Sequence, residues 1–188
     1  MTMPPEQVKA KAYLLEQGTQ APVARIRERV AHAFAGLDAL LDGVTESQAR
    51  QPPAGGEWSV HEILDHLVET HALALEEMRA LLADRRSPVS PIPAGLQSAA
   101  PLARRWDDLR EGLRRLHAEV LDVLAGAPDH LTEARAPIIM VINTRDADGN
   151  VKPVHWIEEC DWKACAVIFR LHELDHLGQA RRTLRRTA

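Results

Sequence analysis

Val23, Ile26, Val30, Phe34, Leu37, Leu41 and Val44 recur in alternating steps of three and four, the spacing that lines side chains along one stripe of an α-helix. The same rhythm returns in Leu102, Trp106, Leu109, Leu113, Leu116, Val120 and Val123. Long one-sided helices gain most of their stability from burying such stripes against one another, so the chain is constrained to a helical bundle. Aromatic residues make up only 4% of the 188, which leaves aliphatic side chains to fill the core. That length suits one domain, read as residues 21–188, preceded by an arm of residues 1–20 in which a short helix ends at Gly18.

The remaining elements follow from local signals. After the turn-rich Gln51 to Gly56, Ser59 and Glu62 form an S-x-x-E capping box, and Trp58 stands where it staples onto Ile63. The helix they start buries Val60, Ile63, Leu64, Leu67, Ala74, Met78 and Leu81 and turns Asp65, Glu69, Glu76 and Arg79 outward. A crossover carrying Pro88, Pro91, Pro93 and Pro101 is too long for a tight helical hairpin. Gly126 and Pro128 stop the third helix, and Pro137 to Thr144 with Val151 to Ile157, joined by the turn signal Asp146 to Asn150, predict a small β-hairpin. A final helix starts near Asp161 or Trp162 and runs into the Arg-rich end of the chain. The expected fold is thus all-α, a four-helix bundle with a long crossover and a β-hairpin before the last helix.

Several function classes are disfavoured at once. The net charge of -4 gives no general drive toward nucleic acid or an anionic membrane. No apolar stretch approaches the roughly 20 residues that span a bilayer, and the first twenty residues lack the apolar core of a secretory signal. A cytoplasmic protein with a small-molecule partner is expected. Cys160 and Cys165 match neither a redox CxxC pair nor a four-cysteine zinc site and are read as reduced thiols.

Chemistry concentrates in the nine histidines. His172 and His176 are i and i+4 on the last helix, about 5–6 Å apart at Cβ, and share a face with Cys165, Phe169, Ala180 and Leu184. Two buried imidazoles with no partner cost desolvation, whereas one metal ion satisfies both. The segment His172 to His176 also matches H-E-x-x-H, but no His, Glu or Asp follows His176, which argues against a zincin protease. A third ligand must therefore come from upstream. Among His61, His66 and His71, steps of five turn the side chain by about 140°, so one of the three faces a metal between helices, and His66 is the choice. His32, His117 and His130 have no partner at ligand spacing and are read as structural or exposed, and Glu173 is read as pointing away from His172.

Gly56 to Leu67, with its Gly-Glu-Trp-Ser opening and His66-Leu67 close, and Leu171 to Gln179, with H-x-x-x-H followed by Gly178-Gln179, resemble the DinB/YfiT-like superfamily of metal-binding four-helix bundles. The resemblance implies an up-down-down-up bundle, a metal site of His66, His172 and His176, zinc or nickel as the divalent ion, and a homodimer. Val167, Leu174 and Leu177 supply an apolar side of the last helix that a second subunit or the hairpin would cover. It also implies a transferase that activates a low-molecular-weight thiol such as bacillithiol, mycothiol or glutathione. Three neutral ligands leave a position open, as in catalytic zinc sites. The alternatives are a hydrolase using metal-activated water, with Glu62 or Glu69 as weak candidates for the base, and a non-enzymatic metal-binding module. Trp58, Trp156 and Trp162 are candidates for an apolar wall around the site.

Overall fold

A computed structural model describes residues 4–53, 55–145 and 151–187, except for the side chains of residues 143, 145 and 151. Six α-helices occur among them: α1 (Pro5–Leu14), α2 (Val23–Leu41), α3 (Glu46–Ala49), α4 (Val60–Leu82), α5 (Trp106–Gly126) and α6 (Trp162–Thr187). Strands β1 (Ala136–Arg145) and β2 (Val151–Cys160) pair antiparallel, with Ile139 opposite Ile157 and Val141 opposite His155. The hairpin is longer at both strands than its β-branched core suggested, and the expected turn at 146–150 lies outside the described residues.

The starts were specified locally. Ser59 Oγ accepts from the Glu62 amide while Glu62 Oε2 accepts from the Ser59 amide at 2.8 Å, closing the expected capping box at α4. A second box, Thr45 with Gln48, starts α3. Its T-x-x-Q signature was present in the sequence, but a four-residue helix carries no periodic stripe to reveal it.

The four long helices close a ring in which α2 and α4 each pack against both α5 and α6. Lys163 Nζ donates to Ala21 O at 2.9 Å, so α2 and α6 start at the same end. Arg186 near the end of α6 reaches Glu57 ahead of α4, and Asp129, just after α5, accepts from the Val23 amide at 2.7 Å. Hence α4 and α5 start at the opposite end from α2 and α6. This is an unusual bundle with more than four helices, because α1 continues through a π-helical turn, Leu15–Thr19, and docks on α6. A Cβ on Gly18 would stand 3.0 Å from Ala164 Cα, so a side chain there would push the turn and α6 apart.

The core falls into two apolar clusters. One gathers Phe34, Leu75, Met78, Val120, Trp162 and Phe169, and the other Leu37, Leu64, Leu67, Leu109, Leu113 and Leu177. Between them, on α4, α5 and α6, lie His71, His117 and Glu173, all buried. A polar layer therefore crosses the middle of the bundle.

Val167 and Leu177 are buried within the chain, Val167 in the first apolar cluster and Leu177 in the second, beside Gly36 of α2. The apolar side assigned to a second subunit is thus largely covered within one chain. Lys163 is buried with its ammonium on the Ala21 carbonyl and 3.3 Å from Asp129. No helix among the described residues is long and apolar enough to cross a membrane.

Candidate metal centre

Helix α4 carries His66 and helix α6 carries His172 and His176, and their packing brings the three rings together. His172 Nε2 lies 3.0 Å from His66 Nε2 and 3.1 Å from His176 Nε2. The outer nitrogens are held: His66 Nδ1 lies 2.6 Å from the Leu96 carbonyl, and His176 Nδ1 lies 2.8 Å from Gln179 Oε1. A carbonyl only accepts, so His66 carries its hydrogen on Nδ1 and presents a bare Nε2. With the Gln179 oxygen facing it, His176 does the same. Two lone pairs then converge on His172 Nε2, and a single hydrogen there cannot satisfy both. A cation can.

The spacing is of the right order. Donors about 2.0–2.1 Å from one four-coordinate ion stand about 3.3–3.4 Å apart, slightly wider than the two distances seen. Burial, rather than any carboxylate, sets the protonation state. His66 is lowered from its usual value by burial, His172 is held well below it by burial and then by His176 and His66, and His176 falls to about 4 from burial and His66. All three rings are held in the neutral form that ligates metals.

The crossover does more than connect helices. Besides supplying the Leu96 carbonyl, it places Ser98, whose amide and hydroxyl donate to Asp65 at 2.8 and 2.7 Å, and Arg104, which bridges Asp65 and Glu69. Asp65, expected on the outer face, is therefore buried under this strap. His61, passed over as a ligand, is buried too, with Nε2 3.0 Å from the Arg104 carbonyl. Neither carboxylate proposed as a base is free for that role: Glu62 is engaged by Ser59 and Glu69 by Arg104.

The three rings border a cavity of about 820 Å³ walled by α1, α4, α6, the crossover and the hairpin. Its lining is mainly aliphatic, with Ile138, Met140, Ile168 and Leu171 among the walls, and Cys165, which shares the helix face of His172 and His176, reaches it. Of the three tryptophans proposed as a wall, Trp58 alone lines it, its ring 5.0 Å from that of His66. Trp162 is instead a core residue and Trp156 bonds Glu158. The cavity extends along α4 to Glu77, eleven residues or about 16 Å from His66. Burial raises that carboxyl to about 7, and Ser90 Oγ donates to it.

Behind the triad, His71 Nε2 lies 3.5 Å from His172 Nδ1. Glu173 does point away from the cavity, but into the bundle, where Oε2 is 3.7 Å from His71 Nε2 and Oε1 is 3.4 Å from His117 Nε2. His117 thus has partners that linear spacing could not reveal. A signal was nonetheless available, because His71, His117 and Glu173 each occupy an apolar stripe position, four residues after Leu67, Leu113 and Phe169 respectively.

A pH effect follows from this burial. His66, His71, His172 and His176 all have folded values below 6.5, so between about 4 and 6.5 the unfolded chain binds more protons and stability falls as the pH drops. Glu77 and Glu173, raised by burial, act in the opposite sense but are two groups against five, since burial lowers His61 as well. Chelated protein is expected to unfold at a clearly lower temperature at pH 5 than at pH 7.5. Equal midpoints would contradict the neutral, buried histidines.

A histidine-lined cavity in a helical bundle of this connectivity defines a class of candidate metalloproteins. Residues 24–180 match the model of the DinB superfamily, and the chain belongs to that family. Among solved structures it is similar to YfiT from Bacillus subtilis, described as a probable metal-dependent hydrolase with an unusual four-helix bundle topology. The TM-score is 0.57 at 14% identity, covering 98% of this chain and 90% of that one, which is a likeness of fold. No curated protein matched the chain.

Proposed function

We propose that the protein is a metal-dependent enzyme whose divalent ion, zinc or nickel, is held by His66, His172 and His176. The carrying observation is the convergence of three neutral Nε2 atoms on the wall of a large cavity. An ion held there would lower the pKa of a thiol or water in its open position and supply a nucleophile near neutral pH.

The chain's own residues supply binding and orientation. Leu96 O and Gln179 fix two of the ligand rings, Trp58 covers the His66 ring, and the aliphatic walls favour an apolar small molecule over a charged one. With Glu62 and Glu69 committed elsewhere, the site has no carboxylate base in the expected positions, which favours transfer of a low-molecular-weight thiol to an apolar electrophile. The second reading is hydrolysis, favoured by the likeness to YfiT and by Asp175 at the exposed border of the cavity. We place the enzyme in the cytoplasm as a homodimer, with residues 21–188 as the functional domain and 1–20 as its docked arm.

Loaded protein is to be assayed with bacillithiol, mycothiol and glutathione against a model aromatic electrophile. Metal-dependent adduct formation abolished in His66→Ala is the expected result. Ester or amide cleavage that needs no thiol would replace transfer with hydrolysis, and metal binding with neither activity would leave a binding module.

A further inference from the structure

We propose that His71, His117 and Glu173 form a second, buried divalent-metal site in the polar layer of the bundle, taking a zinc-like ion on two imidazoles and one carboxylate. The inference does not depend on the catalytic reading above, since His117 belongs to neither the triad nor the cavity wall.

Each ligand comes from a different helix, α4, α5 and α6, and the donor atoms fall within 4.8 Å of one another. All three residues are buried. Among the described residues, both ring nitrogens of His117 and both Glu173 oxygens have no hydrogen-bond partner, while His71 Nε2, the nitrogen that faces Glu173, has a 3.5 Å contact with His172 Nδ1. A cluster of orphaned donors and acceptors in the middle of a core is costly unless something binds them. The distances identify what that would be. At 3.4 and 3.7 Å, the contacts of Glu173 with His117 and His71 are too long or misaligned for hydrogen bonds. The 3.4 Å contact matches the edge of about 3.3–3.4 Å expected between donors sharing one tetrahedral ion with bonds of about 2.0–2.1 Å, and the 3.7 Å contact is a few tenths of an ångström wider. Two imidazoles and a carboxylate are also a donor set that suits zinc and its neighbours.

The surroundings are those of a rigid site. The His117 ring stacks on Phe34 at 3.7 Å between centroids and 3° between planes, and His71 meets Phe169 edge-on at 5.1 Å. With α4, α5 and α6 each giving one ligand, the ion would tie together three walls of the bundle. It would also fix the position of His71 behind His172, and so stiffen the wall on which the first site stands.

The test is metal stoichiometry. Tag-free full-length protein, stripped with a chelator and reloaded with zinc, is to be measured by native mass spectrometry and by elemental analysis. Two ions per chain are expected, falling to one in His117→Ala, to one in His66→Ala and to none in the double variant. His66→Ala leaves the buried cluster intact, so a His117→Ala protein that failed to fold would not remove the test. One ion per chain in the wild type, unchanged in His117→Ala and lost in His66→Ala, would overturn the second site while sparing the first.

Discussion

Replacing His66 by Ala is expected to weaken metal binding at the triad by more than about 100-fold, measured by competition with a chromophoric chelator. The size follows from geometry. His66 is the sole ligand that α4 contributes, and without it His172 and His176 leave a two-nitrogen site on one helix. A graded companion is Gln179→Ala, which leaves all three ligands but removes the partner of His176 Nδ1 at 2.8 Å. Loss of such an orienting contact costs about 10–100-fold in affinity. If Gln179→Ala proved as damaging as His66→Ala, or if neither changed affinity, the ligand and supporting roles assigned here would be wrong.

The largest effect on stability is expected from Trp162→Ala, a loss of about 3–5 kcal/mol in urea unfolding. Trp162 is fully buried, begins α6, and packs in the cluster that joins α2, α4, α5 and the hairpin. Its Nε1 also donates to the His130 carbonyl at 3.3 Å, so truncation opens a cavity and leaves an acceptor without its donor. Trp162→Phe should cost distinctly less, since most of the ring volume remains. A loss below about 1 kcal/mol for the alanine variant would place Trp162 outside the core and contradict the packing described.

The stripes of α2, α4 and α5, the capping box at Ser59, the hairpin and the His172–His176 pair were legible in the sequence, each resting on strong local periodicity or spacing, whereas His66, far from that pair along the chain, was chosen by its place on the helix and by the family resemblance. What was hidden depends on contacts across the fold. The side chain of Asp65 is held by Ser98 and Arg104 from the crossover, and a helical-wheel reading takes no account of a strap laid over the polar face. Gly18 looked like a helix stop and proved to be a close-approach residue against α6. Leu177 looked free for a partner because α2, which covers it, is far away in sequence. His117 and Glu173 illustrate the general lesson, since each is a polar residue on an apolar stripe. Three such exceptions on three helices point to one polar layer once the helices are aligned.

The most direct measurement of the central claim is an anomalous difference map from crystals of the zinc- or nickel-loaded protein, recorded at the metal edge. An ion about 2.0–2.1 Å from Nε2 of His66, His172 and His176, facing the cavity, is the predicted result. Loaded crystals with no anomalous density between these nitrogens would contradict it.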